Sequence, residues 1–418
     1  MAFAVGCTAD QGDTPSGEER VAIVVIDRMT FSDLTAVADS FPSFKELLDT
    51  GAVGLMNVAS ADDFSRSGTY STLAAGVKAH GVSGAHTWYR HFPAPDVVTY
   101  DFGSVSATVR KALHEEHDAS FFWTPAEILG DLLDQVRAGS LELLILASPT
   151  SDEVWAPSPI AICGQGFPWG TLTSGTTHTA GLVAAVDFAP TVLNAVGAPI
   201  PDSMTGLPLQ VRGAADPVQT VGEFDSRLRA DQRRYITLPV ALGAVVPLAI
   251  IVAGAALLAR RARNALARTG SLLLGLAWFL VTGLLFVFGG AHYPKWMGSI
   301  LALTGFVVVV PLYSTLPPGR RGSLAIVPLL WIPLLGLVDC ALGCPLVGRS
   351  ILSHYALTHG LRYYGIGNQA AGIVIGSLIG GITVWAYVRR VEQPSNQAIW
   401  FFCLWAFALA IVFGYPGM

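Results

Sequence analysis

The chain has 418 residues, a formal net charge of −5, 52% hydrophobic residues and only 13% charged ones, with a mean hydropathy of +0.52. A soluble globular protein carries about twice that fraction of charge, so the composition indicates a membrane class. There is no basic stripe with interleaved aromatics, which excludes a nucleic-acid partner.

The opening residues, "MAFAVGCTADQGDTPSGEER", read as a linker over 1–20 or as the remnant of a signal. Ala4-Val5-Gly6-Cys7 is similar to the end of a bacterial lipoprotein signal, but the apolar run before it is too short for an h-region. Either the start lies upstream or the match is chance. The five cysteines (Cys7, Cys163, Cys340, Cys344 and Cys403) are too few and too scattered for a disulfide framework or a thiolate metal site. Cys340 and Cys344, one helical turn apart, read as small packing residues rather than a redox pair.

Residues 21–215 pattern as an α/β domain. "VAIVVID" (21–27) is a continuous β-branched run ending in an acid, as a buried parallel strand looks when it delivers a carboxylate to the sheet's carboxyl edge. "SFKELLDTGAVGLMNVAS" (43–60) predicts a helix, a glycine turn and a second strand. "AEILGDLLDQVRAG" (126–139) predicts an amphipathic helix feeding the strand "LELLILASP" (141–149). "GLVAAVDFAPTVLNAVG" (181–197) predicts a strand, then a helix with Pro190 near its start. The alternation predicts a mainly parallel sheet with helices on both faces and ligands at the strands' carboxyl ends.

Three segments, "VAIVVIDRMTFSDL", "GTYSTLAAGVKAHGV" and "HTAGLVAAVDFAPTVLNAVGAPIPDSMTGLPL", resemble in that order landmark segments of the alkaline phosphatase superfamily, across roughly residues 20–210. The resemblance implies two divalent cations, zinc or manganese, that activate a Ser or Thr nucleophile. It places Asp27 where the family's first metal-binding aspartate stands and His178 near the last histidine ligand. Counting back from Gly76 at the family's spacing lands on Arg66, flanked by Ser65 and Ser67, with Thr69 a further candidate nucleophile.

The departures are large. After the strand 141–149 the family places an Asp-His pair; this chain has Ser148-Pro149-Thr150-Ser151-Asp152-Glu153, which reads as a solvent loop. "HEEHD" (114–118) lacks the spacing of a two-histidine metal site and reads as a solvated charge run. Asp27 is left as either a metal ligand or a strand-end acid capping a turn. The expectation is a degenerate site short of a full two-metal centre, in a domain that binds a phosphorylated or lipid-linked envelope substrate. A metal-dependent phosphoryl or phosphoethanolamine transferase is the alternative, and a transporter or flippase with the domain as a lid is a third.

Residues 216–235 read as a juxtamembrane linker, and 236–418 as an all-α membrane domain. Apolar runs near 236–259, 271–289, 297–316, 323–342, 370–388 and 398–415 each predict a transmembrane helix. Positive-inside counting over "RRARNALAR", "PPGRRGS" and "RRVEQPSNQ" predicts a multi-pass cell-membrane protein with its N-terminal domain extracytoplasmic. "GRSILSHYALTHGLRYYGIGNQAAG" (348–372) predicts a second site, built from His354, His359, Arg362, Tyr363, Tyr364, Asn368 and Gln369, with Asp339 paired to Arg362. An alkaline-phosphatase-like domain joined to a span bearing "RYYGIGN" resembles a group of bacterial membrane proteins in which an acid stands at the place of Gln369. The partners this implies are the bilayer and a lipid-linked or phosphorylated glycan.

Overall fold

A computed structural model describes residues 20–62, 65–81, 96–152, 156–230, 315, 317, 331–342, 371–379 and 382. The chain divides into two compact units, one of residues 1–229 with 357–363, the other of 230–356 with 364–418.

The first unit is built on an eight-stranded sheet ordered β3-β1-β4-β5-β2-β6-β8, with β7 also paired to β2. The strands are β1 (Val21–Asp27), β2 (Ala52–Asn57), β3 (Val97–Ser104), β4 (Leu143–Ala147), β5 (Ser158–Gly164), β6 (Gly170–Ser174), β7 (Leu182–Ala184) and β8 (Leu209–Arg212). β1 lies parallel to β3 and β4, and β2 parallel to β6 and β7. β5 runs antiparallel to β4 and β2, and β8 antiparallel to β6. The sheet is therefore mixed, which corrects the mainly parallel expectation. Ten residues, 148–157, separate β4 from β5, fewer than the crossover to a parallel neighbour needs, so the chain returns beside β4 in the opposite direction.

β1 and β4 are buried along their whole length because helices cover both faces. Ala22, Val24 and Ile26 pack with α1 (Phe31–Ser40), α2 (Pro42–Thr50) and α5 (Trp123–Ala138). Val21, Ile23 and Val25 face the other way, toward Tyr70 and Leu73 of α3 (Arg66–Ala75) and Phe188 and Val192 of α6 (Phe188–Ala195). The alternation of side chains along an extended strand produces that division, and β-branched residues suit both faces. The segment read as a linker at 216–235 is helical over 217–230, with Val221 and Leu228 in the core.

The helix starts follow from local chemistry. Thr30 and Asp33 form a reciprocal capping box on α1, and Ser65 accepts the Gly68 N–H at the start of α3. α3 ends on Gly76 in the left-handed conformation, where Met204 leaves no room for a Cβ.

The six-helix transmembrane domain and the multi-pass membrane localisation are corrected. Among the described residues, no helix is long and apolar enough to cross a membrane. The runs at 236–259, 271–289 and 398–415 lie outside the described residues, and the others are described only at 315, 331–342, 371–379 and 382. Apolarity over a window shows that a segment prefers to leave water; it does not show that one helix of about twenty residues forms there. In the second unit, helix 331–341 buries Ile332, Asp339 and Cys340, and Gly336 lets it approach Val374 on helix 371–379.

Candidate functional site

The six strands that share one direction end together, so the residues after β1, β2, β3, β4, β6 and β7 gather at one edge. Asp27 sits at the end of β1 and is fully buried. Its Oδ1 accepts from the Arg28 N–H at 3.1 Å, the Thr150 N–H at 2.9 Å and the Thr150 hydroxyl at 2.5 Å. Its Oδ2 accepts from Ser104 Oγ at 3.3 Å and pairs with Arg66 Nε at 3.0 Å. A carboxylate offers about four lone-pair directions, so this one is saturated by the protein itself. The segment in the place of the Asp-His pair supplies the clamp: Thr150 binds Asp27, while Ser148 Oγ accepts the Met29 N–H and donates to the Thr150 carbonyl. Arg28, between them in the chain, takes φ +58°, a left-handed conformation uncommon for a side chain of that size.

Arg66 occupies the position where the family resemblance places a nucleophile. It is the first residue of α3, its side chain is 54% exposed, and its guanidinium lies 5.7 Å from the Tyr70 ring centroid. Burial, then the charges of Asp27 and Asp101, push the Tyr70 hydroxyl's pKa well up, so it stays protonated.

The candidate nucleophiles separate. Thr69 is fully buried and donates to the Val58 and Ser65 carbonyls at 2.7 and 3.2 Å, so it is a structural hydroxyl. Ser65 caps α3. Ser67 is half-buried at the second position of the helix, against the backbone of Gly81. His178 stands exposed on the turn between β6 and β7 with φ +50°, its N–H on the Ser174 carbonyl at 3.0 Å. Among the described residues, no group of three or more His, Cys, Asp or Glu is arranged to hold a metal ion. Asp339 is buried in the second unit; His354, His359, Arg362, Tyr363, Tyr364, Asn368 and Gln369 lie outside the described residues.

Two acid groups escaped the sequence reading. The first is a chain of ion pairs beside Asp27. Asp33, fully buried, accepts from the Thr30 N–H at 2.9 Å, from Arg110 Nε of α4 (Ala107–Lys111) at 2.9 Å and from His114 Nε2 at 2.7 Å. Burial pushes its pKa up, but the Thr30 N–H, His114 and Arg110 together outweigh it and hold the carboxyl below its usual range. Arg110 also donates to the Arg28 carbonyl at 2.7 Å and reaches Asp152 at 3.7 Å; Arg229 meets Asp152 at 3.2 Å and Asp225 at 2.9 Å. His114 lies on a single π-helical turn, Ala112–Glu116, and reaches Asp33 from the run 114–118, which is exposed throughout. Asp152, in the loop after β4, has a side chain only 13% exposed and is held by Arg229 instead of standing in solvent. No local pattern marks them, because Asp33 lies 77 residues from Arg110 and Asp152 lies 77 residues from Arg229. The second group is Asp62 and His80, whose Oδ1 and Nδ1 are 2.5 Å apart beside the start of α3.

No family model, no curated protein and no solved structure matches the chain.

Proposed function

We propose that the α/β domain binds an anionic group, such as a phosphate monoester, at Arg66, and does so without metal-dependent turnover. The observation that carries this reading is the environment of Asp27. An acid placed to hold a cation is saturated by Thr150, Arg28 and Ser104, and its charge is balanced by a guanidinium. Arg66 commits Nε to Asp27, and a guanidinium carries four further N–H donors in a planar fork suited to phosphate or carboxylate oxygens. It projects from the N-terminus of a ten-residue helix, where the backbone dipole favours negative charge.

The resemblance to the alkaline phosphatase superfamily supports the class of ligand, and Arg66 at the nucleophile position argues against that family's chemistry. Phosphoryl transfer from Thr69 is disfavoured further by its complete burial.

Isothermal titration of the full chain with inorganic phosphate and with phosphoethanolamine tests the reading. Binding on the order of 1 mM, the scale of a few charge-assisted hydrogen bonds, is expected with or without a chelator. Arg66→Gln should abolish it. Binding that vanishes with chelator, or zinc-dependent hydrolysis of p-nitrophenyl phosphate, would sink the reading.

A further inference from the structure

The anion site leaves a nearby set of side chains unused. Asp62 Oδ1 meets His80 Nδ1 at 2.5 Å, and Asp62 Oδ2 accepts the Gly81 N–H at 2.5 Å. The Gly81 N–H and then His80 hold the Asp62 carboxyl below its ordinary range, so it is ionised at neutral pH. An ionised partner at Nδ1 keeps the proton on that nitrogen and leaves Nε2 as the basic one. The next residue, Gly81, packs so closely over the start of α3 that a Cβ there would collide with Ser67 Oγ and press on the Gly68 N–H. The strap is tied down by Ala61 N–H on the Ala79 carbonyl at 3.1 Å and Ala79 N–H on Thr72 Oγ1 at 3.1 Å. Asp62 thus holds an imidazole one residue from the backbone that packs on the Ser67 hydroxyl, at the N-terminus of one helix.

We propose that Ser67, His80 and Asp62 form an acyl-transfer centre for carboxylic esters, with Ser67 as nucleophile, His80 as general base and Asp62 as the positioning residue. Ser67 Oγ attacks the ester carbonyl carbon and its proton passes to His80 Nε2. The tetrahedral intermediate expels the alcohol, which takes that proton. Water then attacks the acyl-serine, Nε2 accepting and returning its proton as the free acid leaves. The His80 side chain is 80% exposed, so no packing holds its ring from closing on Ser67, and such contacts commonly tighten only with substrate bound. Arg66, next to Ser67, selects esters that carry an anionic group; this clause rests on the anion-binding reading.

The full chain is treated with a fluorophosphonate probe and the modified peptide identified by mass spectrometry. Label on Ser67 is expected, lost in Ser67→Ala and slowed about a hundredfold in His80→Gln, the scale of general-base catalysis. Asp62→Asn should slow it as well, with p-nitrophenyl acetate hydrolysis falling in parallel. An unlabelled Ser67 in the wild-type protein overturns the proposal, whatever the variants do. So does a folded His80→Gln protein that labels at the wild-type rate. Phosphate titration and Ser67 labelling are both read on the wild-type protein: labelling without phosphate binding sinks only the anion reading, and phosphate binding without labelling sinks only this one.

Discussion

One sheet edge treats its carboxylates in two ways. Around β1, Asp27 and Asp33 are fully buried, and each joins local backbone donors to side chains from distant parts of the chain. At the start of α3, Asp62 and His80 lie at the surface, 18 residues apart in sequence, and meet in a contact that water can enter. The first arrangement holds loops together: Asp33 joins α1 to Arg110 and His114, Asp27 joins β1 to Thr150 and α3, and Asp152 joins Arg110 to Arg229. The second leaves reactive atoms accessible. A saturated buried acid contributes stability and little chemistry, whereas an exposed acid that only orients an imidazole contributes the reverse.

The comparison breaks most sharply at Asp33. Asp33→Ala removes the N3 half of the capping box and leaves Arg110 and His114 without their carboxylate; a loss of about 3 kcal/mol is expected in urea denaturation. A loss under half of that would mean the network is ornamental. Asp27→Asn keeps the shape but not the charge opposite Arg66, and should cost about 2 kcal/mol. The same variant tests the metal question: zinc or manganese in excess should raise Tm in neither the wild type nor the variant, since Asp27 has no free lone pair to offer. Thr150→Val deletes one hydroxyl donor to Asp27 and should cost about 1 kcal/mol.

The pH dependence sharpens the contrast. The Asp33 pKa lies below its reference of 3.8 in the folded protein, so the unfolded chain binds the proton more readily. Its contribution is present above the unfolded pKa and is lost as pH falls through the folded one; Asp33→Asn should flatten that acid limb. Asp187 has the opposite sign. Burial raises its pKa even though the Thr176 hydroxyl and the Leu207 and Ala184 N–H groups oppose the shift, so what it contributes is greatest at low pH and declines as pH rises through the raised value. Asp62→Asn, at the surface, should change stability least of all these substitutions while slowing Ser67 labelling.

Local sequence carried much of the framework. "VAIVVID" forms β1 over the residues its pattern indicates, because a run of β-branched residues with no polar break suits only a strand covered on both faces. α5 over Trp123–Ala138 follows from its apolar spacing and the left-handed Gly139 that ends it. Less of the site was legible. That Asp27 would end a strand could be read from the chain; that its partners would be Thr150, 123 residues away, and Arg66 could not. β5 itself was not read from the chain; once it is placed beside β4, the short link over 148–157 dictates its antiparallel direction.

The sequence by itself determined β1, β2 and β4 and the helices α2, α5 and α6, because those elements rest on propensity, capping and periodicity within a few residues. Only the tertiary structure decided which cation balances Asp27, that Asp33 gathers Arg110 and His114, and that His80 comes to Asp62 beside Ser67. A carboxylate accepts whichever donor the fold delivers, so its role is set by the path of distant segments and not by its neighbours in the chain.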